Sequence, residues 1–64
     1  MCESKIVLIE GGKRSVVMEA AAKVLISGGD ATCIDITGEE VLVKGVQVRE
    51  MNLMKHEIVL QRGR

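Results

Sequence analysis

The 64-residue sequence predicts an all-β protein, built as a small SH3-like antiparallel β-barrel. Its apolar residues form short runs rich in valine and isoleucine, which favour strands. Glycine-containing turns separate these runs at intervals of about 8 to 12 residues, as in an antiparallel meander. Because the chain is short, we expect the meander to close or half-close on itself so that its apolar face is buried.

The first strand is predicted over "KIVLIE", residues 5–10, and the glycine pair after it permits a hairpin turn. Residues 14–27 are ambiguous, because their alanines favour helix while their valines and isoleucines favour strand. We expect two strands joined by a bend around Glu19 to Ala21. A single helical turn near residues 18–22 is the alternative.

The next strand is predicted in "ATCIDIT", residues 31–37, where side chains alternate between two faces. We expect Ile34 and Ile36 to face the core. Further strands are predicted in "EVLVKG" and "VQVREMNL", and a closing strand in "EIVLQ" places Ile58 and Leu60 on one face. Residues 62–64 are expected to form a frayed tail.

The size and composition predict one domain, residues 1–64, that needs a partner. The sequence contains no phenylalanine, tyrosine or tryptophan, the side chains that bury most area in a small core. Domains of this size bury only about 60% of the surface of their unfolded chain. Self-association would supply the missing burial.

The charge and hydropathy patterns argue against nucleic acid and membranes as partners. Nine basic and nine acidic residues cancel, so no positive field attracts phosphate, and no aromatic ring is present for base stacking. No apolar run approaches the roughly 20 residues that span a bilayer, and the first residues do not resemble a secretory signal. We therefore expect a cytoplasmic protein.

Signatures of catalysis are nearly absent, and we expect no enzyme activity. The sequence contains one histidine and neither a glycine-rich phosphate loop nor a triad-like spacing. His56 lies in the polar turn "MKHE", where an exposed structural role is more common than metal ligation. Cys33 in a strand is expected to be a buried, inert thiol, and Asp35 with Glu39 or Glu40 to solvate a turn.

Cys2 differs from these residues because of its position directly after the initiator methionine. Small residues at position two generally allow removal of that methionine, which would expose an α-amine beside the thiol. Amine nitrogen and thiolate sulfur would close a five-membered chelate ring around one metal ion, and binding would displace their protons. The alternative is that Cys2 lies in a frayed terminus by chance and has no function as a ligand.

The donor set favours a transition metal shared between two chains. Nitrogen and sulfur in a flat arrangement suit nickel(II) or copper(II), while thiolate also admits zinc and copper(I). One chain supplies only a partial ligand set. Two chains related by a two-fold axis would double the set if their N-termini meet.

Three segments carry a family resemblance: the opening "MCESKIVL", the central "GEEVLVKG" and the closing "NLMKHEIVL". Together they resemble the CooT family of small nickel-binding accessory proteins for carbon monoxide dehydrogenase maturation. The resemblance implies a homodimer of small β-barrels with one nickel(II) between subunits. It implies Cys2 as the principal ligand, the α-amine as co-ligand, and a nickel-requiring acceptor such as carbon monoxide dehydrogenase.

Two rival interpretations accompany this resemblance. Members of the family are also labelled as predicted RNA-binding proteins, and a small barrel without metal could bind RNA or protein. The absence of aromatic residues and of net positive charge argues against RNA. Hydrogenase maturation chaperones of the HypC type share an N-terminal Met-Cys, but the glycine and proline turn expected after their cysteine is missing here, since the chain has no proline.

Overall fold

The computed structural model describes residues 3–63, and their regular structure consists of six β-strands. No helix occurs in these residues, and hence none that could cross a membrane. The all-β class is therefore confirmed. The strands are β1 Ser4–Glu10, β2 Lys13–Ser27, β3 Asp30–Asp35, β4 Glu40–Val43, β5 Val46–Asn52 and β6 Glu57–Arg62.

The six strands form one mixed sheet in the order β4-β3-β2-β1-β6-β5. The pairs of strands adjacent in sequence, β1 with β2, β2 with β3, β3 with β4 and β5 with β6, are antiparallel. β1 and β6 are parallel, with Ile6 opposite Ile58 and Leu8 opposite Leu60. The prediction of a purely antiparallel meander is therefore wrong at this pair, because the last strand returns to the first one in the same direction.

β2 is one continuous strand of 15 residues, so the alternative of a helical turn near residues 18–22 is wrong. Its first part pairs with β1 and its second part with β3, and Ala21 takes part in both ladders, opposite Ser4 and Asp35. Register shifts interrupt both ladders beside this residue. The expected two strands joined by a bend around Glu19 to Ala21 are therefore corrected to one unbroken strand with a bulge at this position.

The sheet curls but does not close into a barrel, so the expected SH3-like barrel is corrected to an open sheet. β4 and β5 lie at opposite edges, yet only Lys44 and Gly45 separate them in sequence. The edges must therefore approach each other where β4 ends and β5 begins. The Val46 N–H donates to the Gly29 carbonyl at 2.7 Å, and the Gly45 N–H donates to Asp30 Oδ1 at 3.1 Å.

The main buried cluster lies on one face of the curled sheet, while Val7 and Val59, which are also buried, alternate with its members along β1 and β6. It contains Ile6 and Leu60 with no accessible surface, and Val43 and Val46 from the two edge strands. Ile58 packs against this cluster on the same face as Leu60, as the sequence predicts. The remaining buried members are Met18, Ala21, Ala31 and Cys33.

The prediction that Ile34 and Ile36 face the core is wrong. Cys33 and Ala31 are fully buried, whereas Ile34 is only partly buried and Ile36 lies beyond the end of β3 with 53% of its surface exposed. Both alternating sets in this strand are apolar, so the pattern does not show which set faces inward. In β3, the smaller side chains of Ala31 and Cys33 face inward.

The C-terminal end is more ordered than a frayed tail through Arg62, which pairs with Glu10 of β1 in the parallel ladder and with Val46 of β5. Its Nε donates to the Lys44 carbonyl at 2.9 Å, and its Nη1 lies 3.0 Å from Glu10 Oε1. One guanidinium thus joins the turn between the edge strands to β1. That side-chain contact, together with the ladders, extends β6 to this residue.

Candidate functional site

Cys2 itself lies outside the described residues, but the structure shows where the strand that follows it begins. β1 starts at Ser4, which pairs with Ala21 of β2. The Lys5 N–H donates to the His56 carbonyl at 2.8 Å, so the start of β1 is fixed beside the turn between β5 and β6. Two residues of extended chain span at most about 7 Å, which bounds the distance from Ser4 to Cys2.

An apolar groove, named here the open groove, lies where the curled sheet fails to close. It has a volume of about 220 Å³. This is below the roughly 300–1,000 Å³ typical of small-molecule sites, and no buried polar side chain points into it. The groove therefore suits apolar side chains better than a cofactor. Its lining residues are Ser4, Ala21, Ala22, Lys23, Val24, Ile26, Val48, Met51 and Ile58.

The turn between β5 and β6, residues 53–56, is named here the hairpin tip. Asn52 Oδ1 accepts a hydrogen bond from the Lys55 N–H at 3.0 Å and closes the turn. His56 has a φ of 54°, a left-handed conformation that is rare for residues other than glycine. The tip carries two apolar side chains in water: Leu53 is 79% and Met54 91% exposed.

His56 is exposed and belongs to the turn, as predicted. Its carbonyl, rather than its ring, makes the recorded contact with β1. Within residues 3–63, no three side chains of the histidine, cysteine, aspartate or glutamate type come together as a possible metal site.

Cys33 is fully buried in the core, as predicted. Burial raises the pKa of its thiol, because the low-polarity surroundings disfavour the charged thiolate. The thiolate is the form that binds metals and reacts with electrophiles. Cys33 is accordingly a packing residue, and its thiol is poorly suited to bind a metal.

Asp35 organises the turn after β3, which agrees with the predicted turn role. Its Oδ1 accepts hydrogen bonds from the Thr37 hydroxyl at 2.6 Å, the Thr37 N–H at 2.8 Å and the Glu39 N–H at 3.0 Å. The hydrogen bond from the Thr37 side chain is the main reason that the pKa of this carboxyl is lowered. Its oxygen is thus occupied by the turn, and Glu40 begins β4.

The open groove and the hairpin tip were missed by sequence reasoning. The available signal was the apolar pair Leu53 and Met54 directly before the polar turn residues Lys55 and His56. Leu53 was assigned to a strand, where an apolar residue needs no explanation. It is exposed because the strand ends at Asn52.

Comparison with known proteins identifies the family. The family model described as "CO dehydrogenase accessory protein CooT" matches residues 1–61. A solved structure, described as "putative CooT from Carboxydothermus hydrogenoformans", superposes with a TM-score of 0.82 at 22% sequence identity. The match covers 98% of this chain and all of that chain, which shows a shared fold. None of the curated proteins compared with the chain matches it.

The chain belongs to the CooT family of carbon monoxide dehydrogenase accessory proteins, since the family model covers nearly its whole length. This is a family of accessory proteins rather than of enzymes. The resemblance noted in the sequence is thereby confirmed.

Proposed function

Starting from its membership of the CooT family, we propose that this protein binds nickel(II) as cargo for a carbon monoxide dehydrogenase. A homodimer in the cytoplasm would hold one nickel ion, with Cys2 of each chain as a ligand. The observation that carries the proposal is the family match over residues 1–61, which includes the N-terminal Met-Cys. An accessory role for an enzyme that requires nickel would give Cys2 a role as a metal ligand.

The chemistry of the N-terminus supports this cargo. After removal of Met1, Cys2 offers a thiolate and a primary amine on adjacent carbons, which close a five-membered ring around a metal. Two such pairs complete a four-coordinate set of two nitrogens and two sulfurs. Nickel(II) accepts a flat arrangement of this kind. If Met1 is retained, the amine becomes an amide and the ligand set changes.

The position of β1 also supports a shared site. Ser4 lies on the rim of the open groove, at the edge of an apolar surface that a second chain can cover. Cys2 lies within about 7 Å of Ser4 along the chain. A contact between two chains at this surface would bring both N-termini to one seam, as a two-chain ligand set requires.

Delivery to the acceptor enzyme would proceed by ligand exchange. A transfer site must leave a path for incoming ligands, unlike a closed structural site that is already saturated. Ligands at a chain terminus, on the rim of the molecule, can be replaced one at a time. The β-sheet in this scheme is a scaffold that holds two termini together.

The experiment is a calorimetric titration of the metal-free protein with nickel(II). Wild type should bind one ion per two chains, and Cys2→Ala should lose this binding while its circular dichroism spectrum stays unchanged. Cys33→Ala is the matched control, because it removes the other thiol and should keep the stoichiometry. Undiminished uptake by Cys2→Ala would refute the proposal.

A further inference from the structure

The free edge of β4 takes no part in the proposed nickel site. β4 pairs with β3 on one side and forms one margin of the sheet. It contributes no lining residue to the open groove, and its third residue, Leu42, is 55% exposed. An unpaired strand edge presents a row of backbone N–H and C=O groups that can receive another strand.

The hydrogen-bonding pattern shows which backbone groups of β4 point outward. The Asp35 N–H donates to the Glu39 carbonyl at 2.9 Å, at the start of the ladder between β3 and β4. Bonded and non-bonded pairs alternate along an antiparallel ladder. The two valines of β4 therefore direct their backbone groups toward β3. The N–H and C=O groups of Glu40 and Leu42 consequently face away from β3.

β4 lacks the features that protect most sheet edges. Natural edge strands are blocked by charged side chains, proline or bulges. β5, the opposite edge, has a register shift between Val48 and Glu50 and carries Arg49 at that shift. The ladder between β3 and β4 is regular, and the one charged residue of β4, Glu40, is its first. The edge of β4 is thus open to a further strand.

The sequence of this edge is complementary to itself. Residues 40–44 read Glu-Val-Leu-Val-Lys, with opposite charges at the two ends and Leu42 at the centre. If two copies pair antiparallel about Leu42, each Glu40 lies opposite Lys44 of the other copy. Both charged residues are exposed, and neither forms a salt bridge with any other residue of the range 3–63. Charge complementarity therefore favours a second copy of the chain over an unrelated strand.

The same pairing would continue an apolar row on the face of the sheet opposite the buried cluster. Leu25, Thr32 and Leu42 lie side by side on adjacent strands. Leu25 is 51% exposed, about as much as Leu42. At the two-fold axis the two Leu42 side chains would touch, and their outward backbone groups would form a bonded pair. The contact would bury an exposed leucine and satisfy free backbone groups at once.

We propose that β4 forms a contact between copies of this chain, in which two β4 strands pair antiparallel about Leu42. This contact goes beyond the one that a shared nickel ion requires. Ser4, near the N-terminus, pairs in β1, which lies three strands from β4, a separation of about 14 Å across the sheet. Pairs of chains that share nickel would associate through β4 into assemblies of four chains or more. Because each β4 contributes few residues, the association should be reversible and should depend on protein concentration.

The test reverses the charges at the two ends of the edge and measures assembly by sedimentation velocity, from micromolar to millimolar protein. Wild type should associate reversibly. Glu40→Lys places two lysines opposite each other and Lys44→Glu places two glutamates opposite each other, so each variant alone should lose the association. An equimolar mixture of the two variants should regain it, because each supplies the charge that the other lacks. Arg49→Glu is the matched control, since it reverses an exposed charge on the opposite edge and should associate like wild type.

Leu42→Pro tests the backbone pairing separately. It removes an N–H that faces away from β3, so the ladder within the chain should be kept. Circular dichroism establishes that each variant is folded. Leu42→Pro loaded with nickel should bind one ion per two chains and should stop at two chains.

The outcomes separate the edge contact from the metal proposal. A wild type that does not associate at millimolar concentration, a mixture of the two charge variants that stays apart, or a folded Leu42→Pro that associates like wild type would overturn the edge contact. A wild type that associates through β4 but binds no nickel refutes the cargo and leaves this contact standing, because the contact uses no metal ligand.

Discussion

The two ends of the curled sheet treat apolar residues differently. Where β4 passes into β5, the edges meet, and Val43 and Val46 are almost fully buried. At the other end the edges separate, and Met51, Leu53 and Met54 remain in water. At the closed end the apolar side chains are buried within one chain, and at the open end they are not. The sheet thus buries its apolar residues at one end and leaves several of them exposed at the other.

The most direct comparison of the two ends uses one residue type. Leu60→Ala removes a fully buried side chain from the core and should lower the free energy of unfolding by about 2–5 kcal/mol. Leu53→Ala removes an exposed one and should change the stability of the monomer by less than about 0.5 kcal/mol. Urea unfolding at several protein concentrations measures both.

Concentration dependence sharpens this comparison. The Leu60→Ala loss should appear at every protein concentration, because this side chain is buried within one chain, whereas Leu53→Ala should change little in dilute solution. Equal losses from the two variants in dilute solution would show that the hairpin tip is part of the core.

A second prediction concerns the buried thiol of Cys33 in the core. Cys33→Ala should cost about 1 kcal/mol, because it removes one small buried group from the core. Its nickel stoichiometry and affinity should equal those of wild type, since the pKa of this thiol is raised and the thiolate is disfavoured. Thermal unfolding and calorimetry give the two numbers. A lost metal site in this variant would mean that the two cysteines act together.

A third prediction concerns the turn at the open end. His56→Gly should raise stability by up to about 1 kcal/mol, because the residue has a φ of 54° and glycine adopts this conformation without strain. Nickel binding should be unchanged if the imidazole has only a turn role. A fall in affinity at constant stability would assign the ring to the metal.

The smallest expected effect lies at the turn after β3, at the start of the edge strand β4. The pKa of Asp35 is lowered from 3.8 in the folded protein by hydrogen bonds, chiefly from Thr37. Its contribution to stability is therefore present above pH 3.8 and is lost as the pH falls toward the lower folded value. Asp35→Asn lacks the ionised carboxylate and therefore should lose less stability than wild type as the pH falls. The melting temperatures of the two proteins should differ at pH 6 and approach each other in acid. Parallel melting curves from pH 6 to 2 would contradict this role.

Much of the fold follows from the sequence, because short β-branched runs and glycine turns mark nearly every strand. The buried state of Cys33 was expected from its strand position, whereas the continuity of β2 was not, because its alanines favour helix and its valines and isoleucines favour strand. The parallel pairing of β1 with β6 could not be predicted, since pairing between distant segments depends on tertiary packing. The sequence does not show which face of β3 points inward, because Ile34 and Cys33 lie on opposite faces and are both apolar.

The candidate site could also be predicted from the sequence only in part. Cys2 stands out by its chemistry and its position in the chain, which sequence alone reveals. The open groove does not stand out, because its lining residues come from β1, β2, β5 and β6 and meet only in the fold. Ser4 connects these two features of the molecule, since it lies two residues after Cys2 and lines the groove.

The central claim is that two chains share one nickel ion through their N-termini. Native mass spectrometry of the intact protein, purified with nickel, measures chain number, metal number and the presence of Met1 in one spectrum. The account predicts a dimer with a single nickel ion and with Met1 absent from both chains. A nickel ion on a monomer, or one ion on each chain of the dimer, would contradict it.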